Sequence, residues 1–414
     1  MECSQAETGK SRIRGVSRNL QWLYGRRHRS EAGWGVMKTK HLLIPGLAAS
    51  LILSASAKED PGAEPAEKVQ IAILLDTSNS MDGLIDQAKS QLWKVVNTFT
   101  EARRDGKTPY VEVALYEYGN SGISVANQYV RLVEPLGRDL DEISRELFAL
   151  KTNGGEEYCG AVIQRALSDL NWDTASTTYK ALFIAGNEPF TQGTVDVREA
   201  CRDAKAKGVI VNTIHCGPRD EGIAGSWHDG PALAKGDFLI IDQDKAVAKI
   251  PAPQDKEISA LGIDLNKTYL GYGKQWRQAS MKQQEADEDA NGKAAAGADV
   301  DRAICKASAN YDNRSWDIVD AVRERTIDLA KLSAAELPQE MRGLAPENRA
   351  AFVEKAAAKR AEIQQRIAGL SREREDFIEK ERAKLARKGE KTLDEAIIET
   401  TRKQAVALGY AFGN

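Results

Sequence analysis

No charge of one sign dominates this chain. Its 414 residues include 58 lysines and arginines against 61 aspartates and glutamates, a net charge of −3. The near balance hides an asymmetry. Residues 1–57 carry nine basic and three acidic residues, which leaves 49 basic and 58 acidic for the rest. A mildly acidic body has no electrostatic draw toward nucleic acid or an anionic membrane, and those partners are not expected. Long apolar runs are also missing. The best stretch, Leu42 to Leu53, is far shorter than the roughly 20 residues a spanning helix needs. No internal repeat is present, which sets aside solenoids and propellers. Cysteine is scarce, five in all, and none follows Ala57 directly, so lipid attachment there is not expected. What remains is a chain of ordinary globular composition, 42% apolar and 29% charged. It is long enough for two or three units.

The N-terminal region accounts for the charge asymmetry. From Met37 the chain reads MKTKHLLIPGLAASLILSASAKED. Lys38 and Lys40 make a basic start, Leu42–Leu53 an apolar centre, and Ala55-Ser56-Ala57 a small-residue cleavage signal. Residues 37–57 are therefore read as a cleavable secretory signal, with an uncleaved anchor as the alternative. The mature protein is expected outside the cytoplasm, periplasmic or secreted, without a stable membrane span. Residues 1–36, Arg-rich and patternless, read as an extension ahead of the true start at Met37; a long basic leader is the rival. In an exported protein Cys159, Cys201, Cys216 and Cys305 are candidates for disulfides, with buried free thiols as the alternative.

Residues 58–67, rich in Pro and Glu, read as a linker. Strand and helix patterns then alternate, as in a doubly wound, mostly parallel α/β sheet over residues 68–245. Strands are expected at Val69–Leu75, Val111–Tyr118, Val125–Val133, Lys180–Ala185, Val209–His215 and Phe238–Asp242. Helices are expected at Ser80–Thr100, Leu140–Leu150, Gly160–Leu170, Val195–Lys207 and Pro231–Lys235. Residues 246–299 form an extension, with a polar loop around Glu285–Asp299. From 300 to 414 the pattern is helical. In Ala345–Leu385 the residues Ile363, Ile367, Leu370 and Phe377 mark a seam interrupted by Arg374, which suits a packed helical hairpin better than a long coiled coil.

The chemistry concentrates at Ile71–Met81, IAILLDTSNSM. An apolar strand ends at Asp76, and Ser78 and Ser80 follow at alternate positions before a helix. One carboxylate and two hydroxyls at this spacing suit a hard divalent cation, which takes oxygen ligands. They sit at the carboxyl end of a strand, where open α/β sheets bind ligands.

This D-x-S-x-S run, with the strand–helix order after it, resembles the metal-ion-dependent adhesion site of the von Willebrand factor type A family. The resemblance covers residues 68–245, under half of the chain. It implies a non-catalytic protein-recognition domain whose Asp76, Ser78 and Ser80 hold Mg²⁺, Mn²⁺ or Ca²⁺, with an acidic group of a partner protein completing the coordination. In that family a Thr and an Asp from two later loops also contribute, and both positions depart here. In TNGGEEYCGAV a glutamate, Glu156 or Glu157, stands where the Thr is expected. In IAGNEPF Gly186 stands at the Asp position, leaving Asn187 or Glu188 to compensate. A loop held by hydrogen bonds without metal is the alternative. The segments GGEEYCGAVI, IAGNEPF, VNTIHCG and YDNRSWDIVDA resemble exported bacterial proteins that pair a type A domain with a helical C-terminal segment. They imply that residues 255–330 continue the core.

Other chemistries fit less well. Leu75-Asp76-Thr77-Ser78 resembles an aspartic protease triplet, which needs a second facing carboxylate. The nearest counterpart, Asp173-Thr174-Ala175, lacks the apolar flanks. A Cys–His enzyme would need Cys159 or Cys216 with His215 or His228. Adjacent His215 and Cys216 point to opposite faces of a strand, which leaves Cys159 with His215. A metal-independent scaffold of the cell envelope is the principal alternative to metal-dependent adhesion. Trp227 and Trp316 read as packing residues.

Overall fold

The computed structural model describes residues 67–82, 85, 94–241, 250–292, 297–385 and 393–412. The N-terminal extension, the secretory signal and nearly all of the linker lie outside them, as do residues 83–84 and 86–93 of the expected Ser80–Thr100 helix. The elements run β1 (Lys68–Asp76), β2 (Ala102–Arg103), β3 (Tyr110–Tyr118), β4 (Val130–Gly137), α1 (Leu140–Ala149), α2 (Cys159–Asp169), β5 (Tyr179–Gly186), α3 (Val197–Ala206), β6 (Ile210–Cys216), α4 (Arg219–Ala224), α5 (Asp229–Ala234) and β7 (Phe238–Ile241). Then follow α6 (Asp255–Asn266), α7 (Trp276–Gly292), α8 (Ala298–Lys306), α9 (Ile318–Arg323), α10 (Pro346–Leu385), α11 (Leu393–Val406) and β8 (Ala411–Phe412).

Six strands form one sheet in the order β4-β3-β1-β5-β6-β7, parallel except for β4. β1 lies inside the sheet, between β3 and β5, and must be apolar on both faces. Val69, Ile71 and Leu75 join one core layer with α1, while Ala72 and Leu74 join the other with α2 and α3. The doubly wound, mostly parallel sheet expected from the alternation is what forms.

Two expectations from the pattern differ from the structure. The strand placed at Val125–Val133 starts at Val130. Ser124 caps a short 3-10 turn over Val125–Asn127, and Gln128 and Tyr129 both adopt φ of 55°, so the chain reverses before it can pair. The polar loop around Glu285–Asp299 is helical as far as Gly292. Gln283, Ala286 and Ala290 are buried on one side of α7, and such small, weakly apolar residues leave little periodic signal.

The C-terminal half closes over the sheet. The core layer that holds β1 and α1 also takes Cys305, Tyr311, Ile397, Ala405 and Tyr410. Charged side chains fix this packing. Arg302, 2% exposed, donates to Asp141 of α1 at 2.8 Å and pairs with Asp287 of α7. Lys306 reaches Asp287 at 2.7 Å, and Tyr311 donates to Asp141. Arg302 and Tyr311 thereby bond this segment to Asp141 of the α/β unit.

α10 is one 40-residue helix. Its seam carries Val353, Arg360, Ile363, Ile367, Leu370, Arg374 and Ile378, all buried, while Phe377 is only half-buried. Arg374 does not break the seam, because its Nε donates to Asp255 at 2.7 Å. With its apolar partners on other segments, an isolated 340–414 fragment should show low helicity by circular dichroism while monomeric. Strong helicity in a demonstrated monomer would contradict this packing account.

Candidate metal centre

β1 ends at Asp76, which lies opposite Tyr118 in the sheet register. Thr77 N–H donates to the Tyr118 carbonyl at 2.9 Å, which turns the chain out of the sheet. The Thr77 hydroxyl donates to Glu117 at 2.8 Å, and Arg131 and Asn120 hold Glu117 at 2.6 and 3.0 Å. The first loop is thus fastened from behind, and Ser78 and Ser80 are carried over the strand end. Ser78 N–H donates to Asp76 Oδ1 at 2.8 Å, and the hydroxyls of Ser78 and Ser80 lie 2.9 Å apart. Ser80 donates in turn to Asn187 Oδ1 at 2.9 Å.

Asp76 is fully buried, and its Oδ2 has no hydrogen-bonding partner. Burial pushes its carboxyl up to about 7, against the opposing pull of Ser78 and reinforced by Glu157 and Glu188. A buried carboxylate with an orphaned oxygen, in a loop that also offers the Ser78 and Ser80 hydroxyls, fits a hard cation, which would supply the missing charge. Glu157 is buried, and its carboxyl is raised by burial first and then by Glu188 and Glu156. Ser78 stands within hydrogen-bonding reach of both Asp76 and Glu157.

The structure separates the glutamates that sequence left equivalent. Glu157 faces Asp76, whereas Glu156 is exposed and accepts from Gln192 at 3.1 Å. Glu188 is close enough to raise both buried carboxyls, yet Asp76, Glu157 and Glu188 do not converge as three ligand oxygens within 4.8 Å. Among the described residues the only such triplet is Glu134, Glu142 and Glu146, where Arg145 and Lys282 already supply the cations. In the third loop Asn187, rather than Glu188, bonds to the first loop.

Two glycines, Gly119 and Gly155, set this geometry. At Gly119 (φ 78°) a Cβ would lie 2.6 Å from Asp76 Oδ1 and 3.0 Å from Glu157 Cγ. Gly155 packs against the Gly119 carbonyl, and Ser121 N–H donates to Gly154 at 2.6 Å. Only bare backbone lets the loop after β3 and the α1–α2 loop approach Asp76 this closely.

Of the two readings of the cysteines, the buried free thiols are what the structure holds. All four described cysteines are free and buried, not disulfide-bonded. Cys159 and Cys201 sit in the α2–α3 layer, while Cys216 and Cys305 sit in the opposite one, with the sheet between. Burial drives all four thiols well above their usual range, Cys201 and Cys305 to about 12. Cys159 Sγ lies 3.7 Å from Tyr118 Oη, and no side chain bonds either ring nitrogen of His215, so they form no catalytic pair. Trp227 donates to the Glu188 carbonyl at 2.8 Å and packs on Phe190, and Trp316 bonds Asn313 at 3.1 Å; both are packing residues, as read.

A family model for the von Willebrand factor type A domain matches residues 70–223. Residues 70–223 are a von Willebrand factor type A domain. Solved structures that resemble the chain include proximal thread matrix protein 1 from the mussel byssus, 13% identical over 44% of this chain and 43% of that one, with a TM-score of 0.33. That protein has also been solved with a zinc-occupied MIDAS motif. Others are the conserved hypothetical protein BatB of Bacteroides thetaiotaomicron (15% identity, 43% of this chain and 92% of that one, TM-score 0.33) and the pilus adhesin SpaC of Lactobacillus rhamnosus GG (16%, 44% and 29%, TM-score 0.34). The chain spans under half the length of the mussel protein. No curated protein matches the chain. Type A domains are protein-interaction modules that commonly bind a divalent metal and are generally non-catalytic. Among the described residues no helix is long and apolar enough to cross a membrane.

Proposed function

We propose that this is an exported recognition protein whose type A domain binds an acidic group of a protein partner through a divalent cation. The observation that carries the reading is Asp76 Oδ2, buried without a partner at a strand end whose loop also carries the Ser78 and Ser80 hydroxyls. Asp76, Ser78, Ser80 and Glu157 would hold Mg²⁺, Mn²⁺ or Ca²⁺. The cation would supply a Lewis-acidic position for a partner carboxylate. Two carboxylates and neutral hydroxyls make a weak site, which gains from the partner's extra charge. Export is supported by the Met37–Ala57 pattern; protein from the native host should then begin at or near Lys58, and a mature chain that retains residues 1–36 would contradict it.

Ligand binding to the folded state stabilises by mass action, ~2.7 kcal/mol at about 100 times the dissociation constant. Millimolar Mn²⁺ should therefore raise the melting temperature of the wild type and leave Asp76→Ala unmoved. An equal response in Asp76→Ala removes the site from Asp76. No response in either leaves a metal-independent scaffold as the better reading.

The site also predicts a pH effect without metal. A carboxyl raised from its ordinary value to about 7 favours the folded state only while protonated. Its contribution is fully present below about pH 4 and is lost as pH rises to about 7, up to ~4 kcal/mol. Metal-free Asp76→Asn should accordingly melt well above metal-free wild type at pH 8 and alike at pH 4. Equal melting at both pH values would show that Asp76 carries no burial penalty.

A further inference from the structure

We propose that in this chain the second charged ligand has moved from the third loop to the second: Glu157 supplies it, and the Tyr118 phenol fills the space an aspartate at position 186 would use. The inference rests on the metal-dependent reading above and deepens it. A Cβ on Gly186 would lie 2.5 Å from Tyr118 Oη, 3.1 Å from Trp227 Cη2 and 3.1 Å from Asp76 Oδ2. The direction toward Asp76 is therefore correct for a ligand, but the room is taken. Tyr118 cannot swing aside. It is fully buried, its hydroxyl donates to the Ala185 carbonyl at 2.9 Å, and Cys159 closes its far side at 3.7 Å. Trp227, equally buried, is pinned by its bond to Glu188.

The opposite flank of Asp76 is where a second carboxylate fits. The bare Gly119 backbone admits Asp76 Oδ1 and Glu157 Cγ to within 2.6 and 3.0 Å of one point, and Ser78 N–H holds Asp76 Oδ1 in place at 2.8 Å. Glycine at 119 and 186 thus has different purposes: the first brings Glu157 in, the second keeps Tyr118 in place. Glu157 is a ligand in this scheme and Tyr118 a positioning residue.

The test uses the full chain, with Mn²⁺ as the probe and the melting-temperature increment as the readout. Wild type and Glu156→Gln should respond alike, whereas Glu157→Gln should bind Mn²⁺ at least about tenfold more weakly, and its metal-free melting should show that it is folded. Gly186→Asp should lower the metal-free melting temperature by several degrees without strengthening the response. Adding Tyr118→Phe to it should recover stability, because the clashing oxygen is gone. If the wild type responds but Glu157→Gln responds equally, the ligand assignment falls while the metal reading survives. If Gly186→Asp keeps its melting temperature and binds Mn²⁺ more tightly, the space is open and Tyr118 has no such role. A wild type that does not respond defeats the metal reading and this inference together.

Discussion

A chain ending at Leu385 should fail to reach the native fold, although the truncation lies more than 160 residues beyond the end of the matched type A domain. The missing segment is structural to the sheet. Ile397, Ala405 and Tyr410 sit in the same core layer as Val69, Phe99 and Tyr179. Phe99 stacks on Tyr179 at 5.1 Å and meets Tyr410 and Phe412 at 6.3 and 6.4 Å. Gln404 accepts from Tyr179 at 2.9 Å and donates to Asn212 at 2.7 Å, and Tyr410 donates to the Lys68 carbonyl at 2.9 Å. Truncation would bare an apolar layer and strand Asn212, itself fully buried. Each large buried apolar side chain lost costs about 2–5 kcal/mol and each orphaned polar group about 1–3. Together these match a typical total stability of about 5–15 kcal/mol. The truncated protein should be insoluble, or soluble with secondary structure but no cooperative thermal transition. The single change Tyr410→Ala should cost about 3–5 kcal/mol by denaturant titration. A cooperative, native-like melt of the truncated chain would show that the type A unit stands alone.

Arg360→Ala should be nearly as damaging. The guanidinium is 3% exposed and bonds Asp317 at 2.7 and 3.0 Å, Asp320 at 3.0 Å, and the Thr268 hydroxyl and carbonyl at 3.1 and 2.7 Å. It also lies over the Tyr269 ring at 4.3 Å. Its removal leaves two buried carboxylates without their main cation, an effect of about 3–5 kcal/mol. Arg360→Lys should recover little, because a single ammonium cannot reproduce the planar fork. The loss should ease at acid pH, where Asp320, its carboxyl raised by burial, protonates. A loss under about 1 kcal/mol would mean that solvent reaches the cluster.

How much of this was legible depended on which physics set each feature. The strands of the sheet were, because β1, β5 and β6 are buried on both faces and read as apolar runs. That Asp76, Ser78 and Ser80 share one strand end was legible from their spacing, since one strand end and one turn position all three. Choosing between Glu156 and Glu157 required knowing which way the second loop faces, and that is fixed by Gly119 and Gly155 meeting across the site. Tyr118 carried no local sign of its role. Its effect on position 186 exists only where β3, β1 and β5 lie side by side. The reversal at Gln128–Tyr129 was hidden because neither residue is one that usually marks positive φ. α7 was hidden by its alanine face, and the Gln404–Asn212 contact joins residues 192 positions apart. Arg374 was noticed as an interruption; its partner Asp255 lies on a different helix and turned it into part of the seam.

The most direct test of metal binding is a count of bound Mn²⁺, by the loss of the free-ion paramagnetic resonance signal, on full-length wild type and Asp76→Asn at pH 8. The variant keeps the shape of the carboxyl and removes its charge. The account predicts one bound ion per wild-type chain, with weak affinity that improves when a carboxylate-bearing peptide is added, and none for Asp76→Asn. Equal binding by the two proteins, or no binding by a folded wild type, would contradict it.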